Sequence, residues 1–170
     1  DEDAGNPLEL CQLWLNLPRG HKHDAPMYRH VKASEIPHLQ GDKAFARLVA
    51  GRSGGAQGPL TSFGDPFVAH VSLQAGGHIE IASDAAELAL YVMTGDVAVG
   101  GQGVQNGWLA RLTPGGAVAL SADAPAEALL IGGDPLDAPI LRHGPFVMNS
   151  IGELEQAVRD YYAGRMGRIL

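Results

Sequence analysis

Apolar residues in this chain occur in short runs separated by glycine and proline. The pattern is most regular after Pro66, where apolar and polar positions alternate with the two-residue period of a half-buried strand. The alternation in Phe67–Leu73, together with short apolar runs bounded by turn residues, predicts strands, in chain order, at Phe45–Ala50, Phe67–Leu73, Leu88–Met93, Val97–Val99, Trp108–Leu112, Ala117–Leu120 and Ala128–Ile131. Strands at spacings of roughly ten residues, closed by turn signals and without βαβ alternation, predict an all-β sandwich or barrel.

The first 43 residues lack this regularity. Leu8–Leu17 alternates and predicts a strand that ends at Pro18, whereas residues 19–43 are polar and rich in histidine, and predict an extended arm. Gly51–Gly58 holds four glycines and predicts a loop. We therefore divide the chain into a connecting strand and linker arm, 1–43, and a barrel with its terminal helix, 44–170.

One amphipathic α-helix is predicted near the end of the chain. Ser150 and Glu153 have the S-x-x-E spacing of a capping box, and Gly164 supplies a C-terminal stop. Apolar residues between them recur at helical spacing. We expect a helix over Ile151–Ala163 whose Leu154, Val158 and Tyr161 face packs on the β-body.

Composition excludes several classes of function. The net charge of −7 argues against a nucleic-acid-binding surface. No apolar run approaches the ~20 residues of a membrane-spanning helix. Cys11, the single cysteine, excludes an internal disulfide, fits a reducing cytoplasm and is expected to be a small buried hydrophobe in a strand. Because the chain opens on Asp1, we also expect a fragment or a processed product of a longer chain.

Histidine carries the candidate chemistry, because other motifs are absent. His21 and His23 have H-x-H spacing, but a metal would need further ligands, so a solvated arm is favoured over a metal site. His70 is expected on the surface or rim, and His78 with Glu80 at the edge of a turn. There is no G-x-S-x-G nucleophile motif, and the glycines of 100–103 lie between two strands, where a phosphate loop is not expected.

Several segments are similar to signature segments of the pirin family. They are Cys11–Pro18 (CQLWLNLP), Thr94–Val97 (TGDV), Gly132–Leu136 (GGDPL), Arg142–Asn149 (RHGPFVMN) and Glu153–Ala157 (ELEQA). Pirins are bicupins, with two cupin-type barrels in one chain, and this chain resembles only the connecting strand, the linker and the second barrel with its helix. The resemblance implies a cupin-type (jelly-roll) fold and places His21 and His23 in the linker between the barrels.

In the family the metal, usually iron, is held by three His and one Glu of the first barrel, which has no counterpart here. Against the general cupin pattern, with its last glycine on Gly95, the Glu position falls on Leu88. The two His positions fall on Ser83 and Ile81, or on Asp84 and Ala82, and Glu87 misses the register by one residue. The His of the second motif, which begins at Pro114, falls on Ala119. We therefore expect a metal-free barrel and assign no catalytic, cofactor-binding or metal-ligating residue.

The resemblance implies either a regulatory partner protein or a metal-dependent quercetin 2,3-dioxygenase. For this chain alone we expect a structural or regulatory binding module without catalysis. The alternative is part of a dioxygenase-like enzyme whose active site lies in an N-terminal barrel. A small-molecule-binding cupin would need polar groups inside the barrel, where Ala, Val and Leu predominate.

The expected partner is the N-terminal barrel of the parent or a second copy in a homodimer, with no nucleic acid and no membrane. An arm that folds back is the alternative, with Met27, Tyr28, Val31 and Ile36 covering the exposed face.

Overall fold

The computed structural model describes residues 10–113, 115–136 and 138–167. In these ranges the elements are β1 (His38–Gln40), β2 (Asp42–Ala50), β3 (Arg52–Ser53), β4 (Ala56–Gln57), β5 (Phe67–Ala82), β6 (Glu87–Thr94), β7 (Val97–Val99), β8 (Gln102–Val104), β9 (Leu109–Leu112), β10 (Ala117–Ala122), β11 (Ala126–Gly133), β12 (Leu141–His143), β13 (Phe146–Met148) and α1 (Ile151–Tyr162). All seven strands predicted after residue 43 are present. Most of their ends lie within two or three residues of the predicted positions, and one strand is much longer than predicted. The short strands β1, β3, β4, β8, β12 and β13 were not predicted, and the predicted loop 51–58 contains the β3–β4 hairpin.

A nine-stranded sheet forms the body of the molecule. Its main order is β8-β7-β10-β5-β11-β6-β9, and β2 pairs with β5 while β1 pairs with β2. β5 is the long central strand: its first half pairs with both β2 and β11, and its second half pairs with β10. Because one long strand joins both sets of partners, the sheet curls into a nearly closed barrel, which confirms the all-β barrel prediction.

The continuity of β5 corrects one expectation, that Ala75–Gly77 ends the strand in a turn. The strand instead runs through this segment to Ala82. Gly77 permits this because a Cβ there would lie 2.5 Å from the Lys43 carbonyl oxygen, so only glycine fits the close approach to β2. The odd-numbered positions point inward on both sides of this segment.

The barrel interior is filled with aliphatic side chains. The largest fully buried ones are Leu48, Val71, Ile79, Ile81, Leu90, Val92, Val97, Leu120 and Leu130. They come from β2, β5, β6, β7, β10 and β11, so six strands of the barrel contribute to one core. Burying such a side chain stabilises the fold by roughly 1.5–3 kcal/mol, which makes this core the main source of stability.

Helix α1 is present where the sequence predicts it. The Glu153 N–H donates to Ser150 Oγ at 3.3 Å, and the Glu153 carboxylate accepts from the Asn149 N–H at 3.0 Å. After the helix, Gly164 has φ +69°, the left-handed conformation typical of a C-terminal stop.

The packing of α1 differs from the expectation. The helix lies chiefly against the β12–β13 hairpin, and Ala157 is its one buried residue. Leu154 and Val158 are only half-buried, and Tyr161 is 60% exposed with its ring centroid 6.4 Å from that of Phe146 in an edge-to-face arrangement. A two-stranded hairpin is too narrow to cover the whole apolar face of a helix, so only the small central residue is enclosed.

The arm also differs from the expectation. Residues 10–18 form no strand, and Cys11 is exposed rather than buried; Leu8 and Glu9 lie outside the described residues. A strand needs a neighbour for its backbone hydrogen bonds, and nothing in the described part of the chain pairs with this segment. The sheet begins at His38, so β1 and the start of β2 fall on the arm side of the division at residue 43.

Candidate functional site

The positions at which cupins place metal ligands are apolar or turned away in this barrel. Leu88 points inward from β6 and is 6% exposed, and Ile81 is fully buried on β5. Ser83 is buried, but its Oγ lies 3.3 Å from the Ala85 N–H, which donates to it within the same turn. Ala82 and Asp84 are exposed. Neither register considered for the two histidines therefore gives a pair of inward-pointing ligands.

The His position of the second motif falls on the outer face of its strand. Ala119 is exposed on β10, whereas its neighbours Val118 and Leu120 point inward, opposite Ile81 and Ile79. Successive strand residues point to opposite faces, so a shift of one residue exchanges the inside for the outside. Pro114, from which the motif was counted, lies outside the described residues. The inward positions are apolar in either register.

The donor set does not fit a resident metal ion. Among the residues that the structure describes, no three His, Cys, Asp or Glu side chains are close enough to hold one. Iron and similar ions require several nitrogen or oxygen donors that converge from different elements. The aliphatic interior offers no such convergence.

The H-x-H stretch lies in an arm that is exposed over residues 23–30, as expected, but His21 contacts the loop that carries Phe63, and we call this contact the clamp. The His21 ring stacks on Phe63 with centroids 3.5 Å apart, and its Nδ1 lies 2.7 Å from Asp24 Oδ2. The Lys22 ammonium donates to Asn16 Oδ1. Of the H-x-H residues, only His23 is exposed. The arm is therefore attached to the loop that carries Phe63.

Two shifted pKa values, those of Lys22 and Glu153, show that the arm lies close to the start of α1. Partial burial lowers the pKa of Lys22, opposed by the attraction of the Glu153 carboxylate. The hydrogen bond with Ser150 is the main cause that lowers the pKa of Glu153; the Asn149 N–H and the Arg19 charge add to it, against a smaller effect of desolvation. The arm and the helix N-terminus are therefore electrostatic neighbours.

His70 and His78, the other two candidate histidines, lie on the outer surface of the sheet. His78 Nδ1 is 3.8 Å from Asp42 Oδ2 with both side chains exposed, and Glu80 is also exposed, but both residues lie within the continuous strand β5 and not at the edge of a turn. His70 is half-buried on the outer face of β5, between Arg47 on β2 and Glu127 on β11. The prediction that His70 faces away from the core is confirmed.

A polar chain runs through His70. Arg47 Nη1 lies 3.0 Å from His70 Nδ1, and because a guanidinium can only donate, Nδ1 is the acceptor and Nε2 carries the proton of the neutral ring. Nε2 lies 2.9 Å from the buried Glu127 Oε2, although the angle of this contact is not that of a good hydrogen bond. Ser72 Oγ donates to the other Glu127 oxygen at 2.7 Å. The charges of Arg47 and Glu127 are thus connected through His70.

Arg47 and His70 also belong to a continuous row of paired residues that crosses six strands. Neighbouring residues in the row are paired across β1, β2, β5, β11, β6 and β9. We call this row the outer stripe: His38, Arg47, His70, Leu129, Tyr91 and Leu109. Its first half is basic and its second half is apolar. Within the apolar half Leu129 is 6% exposed, whereas Tyr91 is 37% exposed, Leu109 is 54% exposed and the adjacent Trp108 is 65% exposed, so the outer end of this half is open to solvent.

Sequence reasoning missed the outer stripe. The alternation along each strand shows which residues point outward, but not which outward residues on different strands are neighbours. The signal that was available is Tyr91, a large aromatic residue that alternates out of phase with the inward Leu88, Leu90 and Val92 of its strand.

The clefts of the described chain lie on its surface. One of about 380 Å³ separates the arm from the rim of the sheet, with Leu15 and Phe63 on the arm side and Ala89, Arg111 and Ile131 on the sheet side. The start of the described arm, at Leu15, therefore lies near the outer face that carries the stripe. No helix within the described ranges is long and apolar enough to cross a membrane.

A curled antiparallel barrel with an aliphatic interior and a helix on a side hairpin defines a domain of the cupin class. The family model described as the pirin C-terminal cupin domain matches residues 68–167. The chain belongs to the pirin family, which confirms the family inferred from its motifs.

Similar proteins agree with this assignment. A Pseudomonas aeruginosa protein with the provisional name quercetin 2,3-dioxygenase is 36% identical over 97% of this chain and 59% of its own length. Pirin of Mus musculus is 31% identical over 95% of this chain and 58% of its own length. The crystal structure of a quercetin 2,3-dioxygenase from Acinetobacter baumannii is similar with a TM-score of 0.86 and 29% identity, over 92% of this chain and 56% of that one. The chain thus spans less than two thirds of the relatives it matches.

Proposed function

We propose that this chain is a metal-free cupin domain that works as a structural or regulatory binding module and has no catalytic activity by itself. The observation that carries the proposal is the barrel interior, where Ile81, Leu88, Val118 and Leu120 occupy the inward positions of the two cupin motifs. Methyl groups cannot replace the nitrogen and oxygen donors that a catalytic metal needs.

The expected partner of this module is a second cupin barrel. The relatives are longer than this chain, which matches only 59% of one and 58% of another. Exposed apolar residues in the arm, Leu13, Trp14 and Leu15, support a further packing surface. The exposed thiol of Cys11 favours a reducing compartment, the cytoplasm.

Metal analysis tests the proposal directly. We expect the purified chain to hold no stoichiometric iron, zinc, manganese or copper after dialysis without chelator. About one tightly held ion per chain would contradict the proposal. In that case a His23→Ala variant distinguishes the sources, because loss of the ion would assign it to the H-x-H clamp and retention would assign it to the barrel.

The second candidate is a quercetin 2,3-dioxygenase whose metal centre lies in another barrel of a longer protein. The names of the Pseudomonas aeruginosa relative and of the Acinetobacter baumannii structure favour it. In this second candidate function the chain is a supporting barrel, and the iron is bound in the other barrel of the longer protein. Oxygen uptake with quercetin and added iron should be at background for this chain alone. Uptake that depends on the chain would show chemistry in this barrel and overturn the proposal of a non-catalytic module.

A further inference from the structure

The outer stripe has an order that is complementary to itself. Read from β1 to β9, three basic side chains, His38, Arg47 and His70, are followed by three apolar ones, Leu129, Tyr91 and Leu109. In the arrangement considered, the sheets of two copies are stacked face to face. A two-fold axis that lies midway between the two sheets runs parallel to the strands and passes between β5 and β11. This axis reverses the order of the stripe in the second copy. Arg47 then faces Tyr91 of the second copy, and the same contact occurs twice.

We propose that the outer stripe is a homodimer interface in which Arg47 of each copy lies on the Tyr91 ring of the other. A guanidinium over an aromatic face is an attractive cation–π pair. The alternative two-fold axis, along the stripe, would place Arg47 on Arg47 and is disfavoured by like-charge repulsion. This inference rests on the proposed function as a packing module and names its partner as a second copy of the chain.

The surroundings of Arg47 prepare it for this contact. Its guanidinium carbon lies 5.1 Å from the centroid of the Phe45 ring, and its Nη1 is held by His70. Glu127, reached through His70, compensates its charge when the face is covered. A buried charge that already has a partner within its own domain avoids much of the desolvation penalty. The stripe can therefore be covered by another copy that brings no compensating acid.

The described part of the chain leaves the two ends of the stripe accessible, whereas Leu129 at its centre is 6% exposed. Of the arm residues that would cover the face if the arm folded back, Met27 and Tyr28 are 86% and 89% exposed, and Val31 and Ile36 are half-buried. The clamp at His21 and Phe63 directs the arm toward the rim cleft, where Leu15 faces Ala89 and Arg111. Stacked sheets lie about 10 Å apart, close enough for outward side chains of the two copies to interdigitate.

Opposite charges at one position test the register of the dimer. In the 170-residue chain, Tyr91→Lys places a cation opposite Arg47 at both symmetric contacts, and we expect a Kd for dimerisation at least about tenfold higher. Tyr91→Glu places an anion there instead, and we expect the dimer to be retained and to become sensitive to salt. Tyr162→Lys, on an 83% exposed tyrosine of α1, is the matched control and should behave as the unchanged chain.

Sedimentation velocity across the micromolar range provides the readout, with circular dichroism to confirm that each variant is folded. The unchanged chain should sediment at twice its 17.8 kDa mass. A monomer at every concentration would overturn the proposal, as would a dimer that Tyr91→Lys leaves intact. Equal dissociation by lysine and glutamate would overturn the Arg47–Tyr91 contact. None of these outcomes bears on metal content, so the proposed function is tested separately.

Discussion

Helix α1 and the β12–β13 hairpin should unfold locally, as a unit that is weaker than the barrel. The helix is held by that hairpin through one buried residue, Ala157, whereas the barrel shares a continuous aliphatic core. Elements with few buried apolar contacts open at a lower free energy than the global unfolding of the domain. Replacing Ala157 by leucine adds three carbon atoms to the enclosed point of contact. Overpacking of this kind costs about 1–3 kcal/mol.

Amide hydrogen exchange measures this effect residue by residue. In Ala157→Leu we expect exchange about 5–150-fold faster in 141–148 and 151–162, the range that corresponds to the cost above. Protection of β5 and β11 should remain unchanged, because the barrel does not depend on this contact. Gln156→Leu adds an apolar side chain at the adjacent exposed position and is the control.

Two outcomes would refute the reasoning. If Ala157→Leu accelerated exchange equally in the barrel strands, α1 and the barrel would unfold together and the unit would not exist. If the exchange of α1 did not change, Ala157 would not be the contact that holds the helix. Leu154→Ala provides a second check: the residue is half-buried, so its cost should fall below the 2–5 kcal/mol typical of a fully buried leucine.

Two further predictions concern the arm and the start of the helix. Phe63→Ala removes the ring on which His21 stacks, so trypsin should cleave faster at Arg19 and Lys22 while the barrel keeps its thermal midpoint; unchanged cleavage would show that the stack does not hold the arm. The pKa of Glu153 is lowered in the folded state, so its contribution to stability is present above its ordinary pKa of 4.5 and is lost as the pH falls through the lower folded value. Hydrogen exchange of α1 should therefore accelerate in acid more than intrinsic rates explain, and Glu153→Gln should remove this acid dependence; a variant with the same acid dependence would assign the effect to another group.

The amino-acid sequence by itself determined the larger part of the fold. The period-two alternation of β2, β5, β6 and β10 identifies these barrel strands, because one face of each strand must be apolar to fill the core, whereas β11 is recognised by its continuous apolar run. Local chemistry also fixed α1, since Ser150 and Gly164 act within a few residues of the helix ends. The apolar interior followed from the same alternation and is the basis of the proposed function.

Only the tertiary structure decided which residues meet. The pairing of β10 with β5 decides that Ala119 points outward and that Val118 and Leu120 point inward, because strand register sets which face each residue occupies. Leu10–Leu17 alternates like a strand but has no partner in the described chain, and a strand cannot form without one. The stacking of His21 on Phe63 and the row from His38 to Leu109 join residues far apart in the chain. Such contacts depend on how the sheet curls and pairs, and no local pattern in the sequence encodes that geometry.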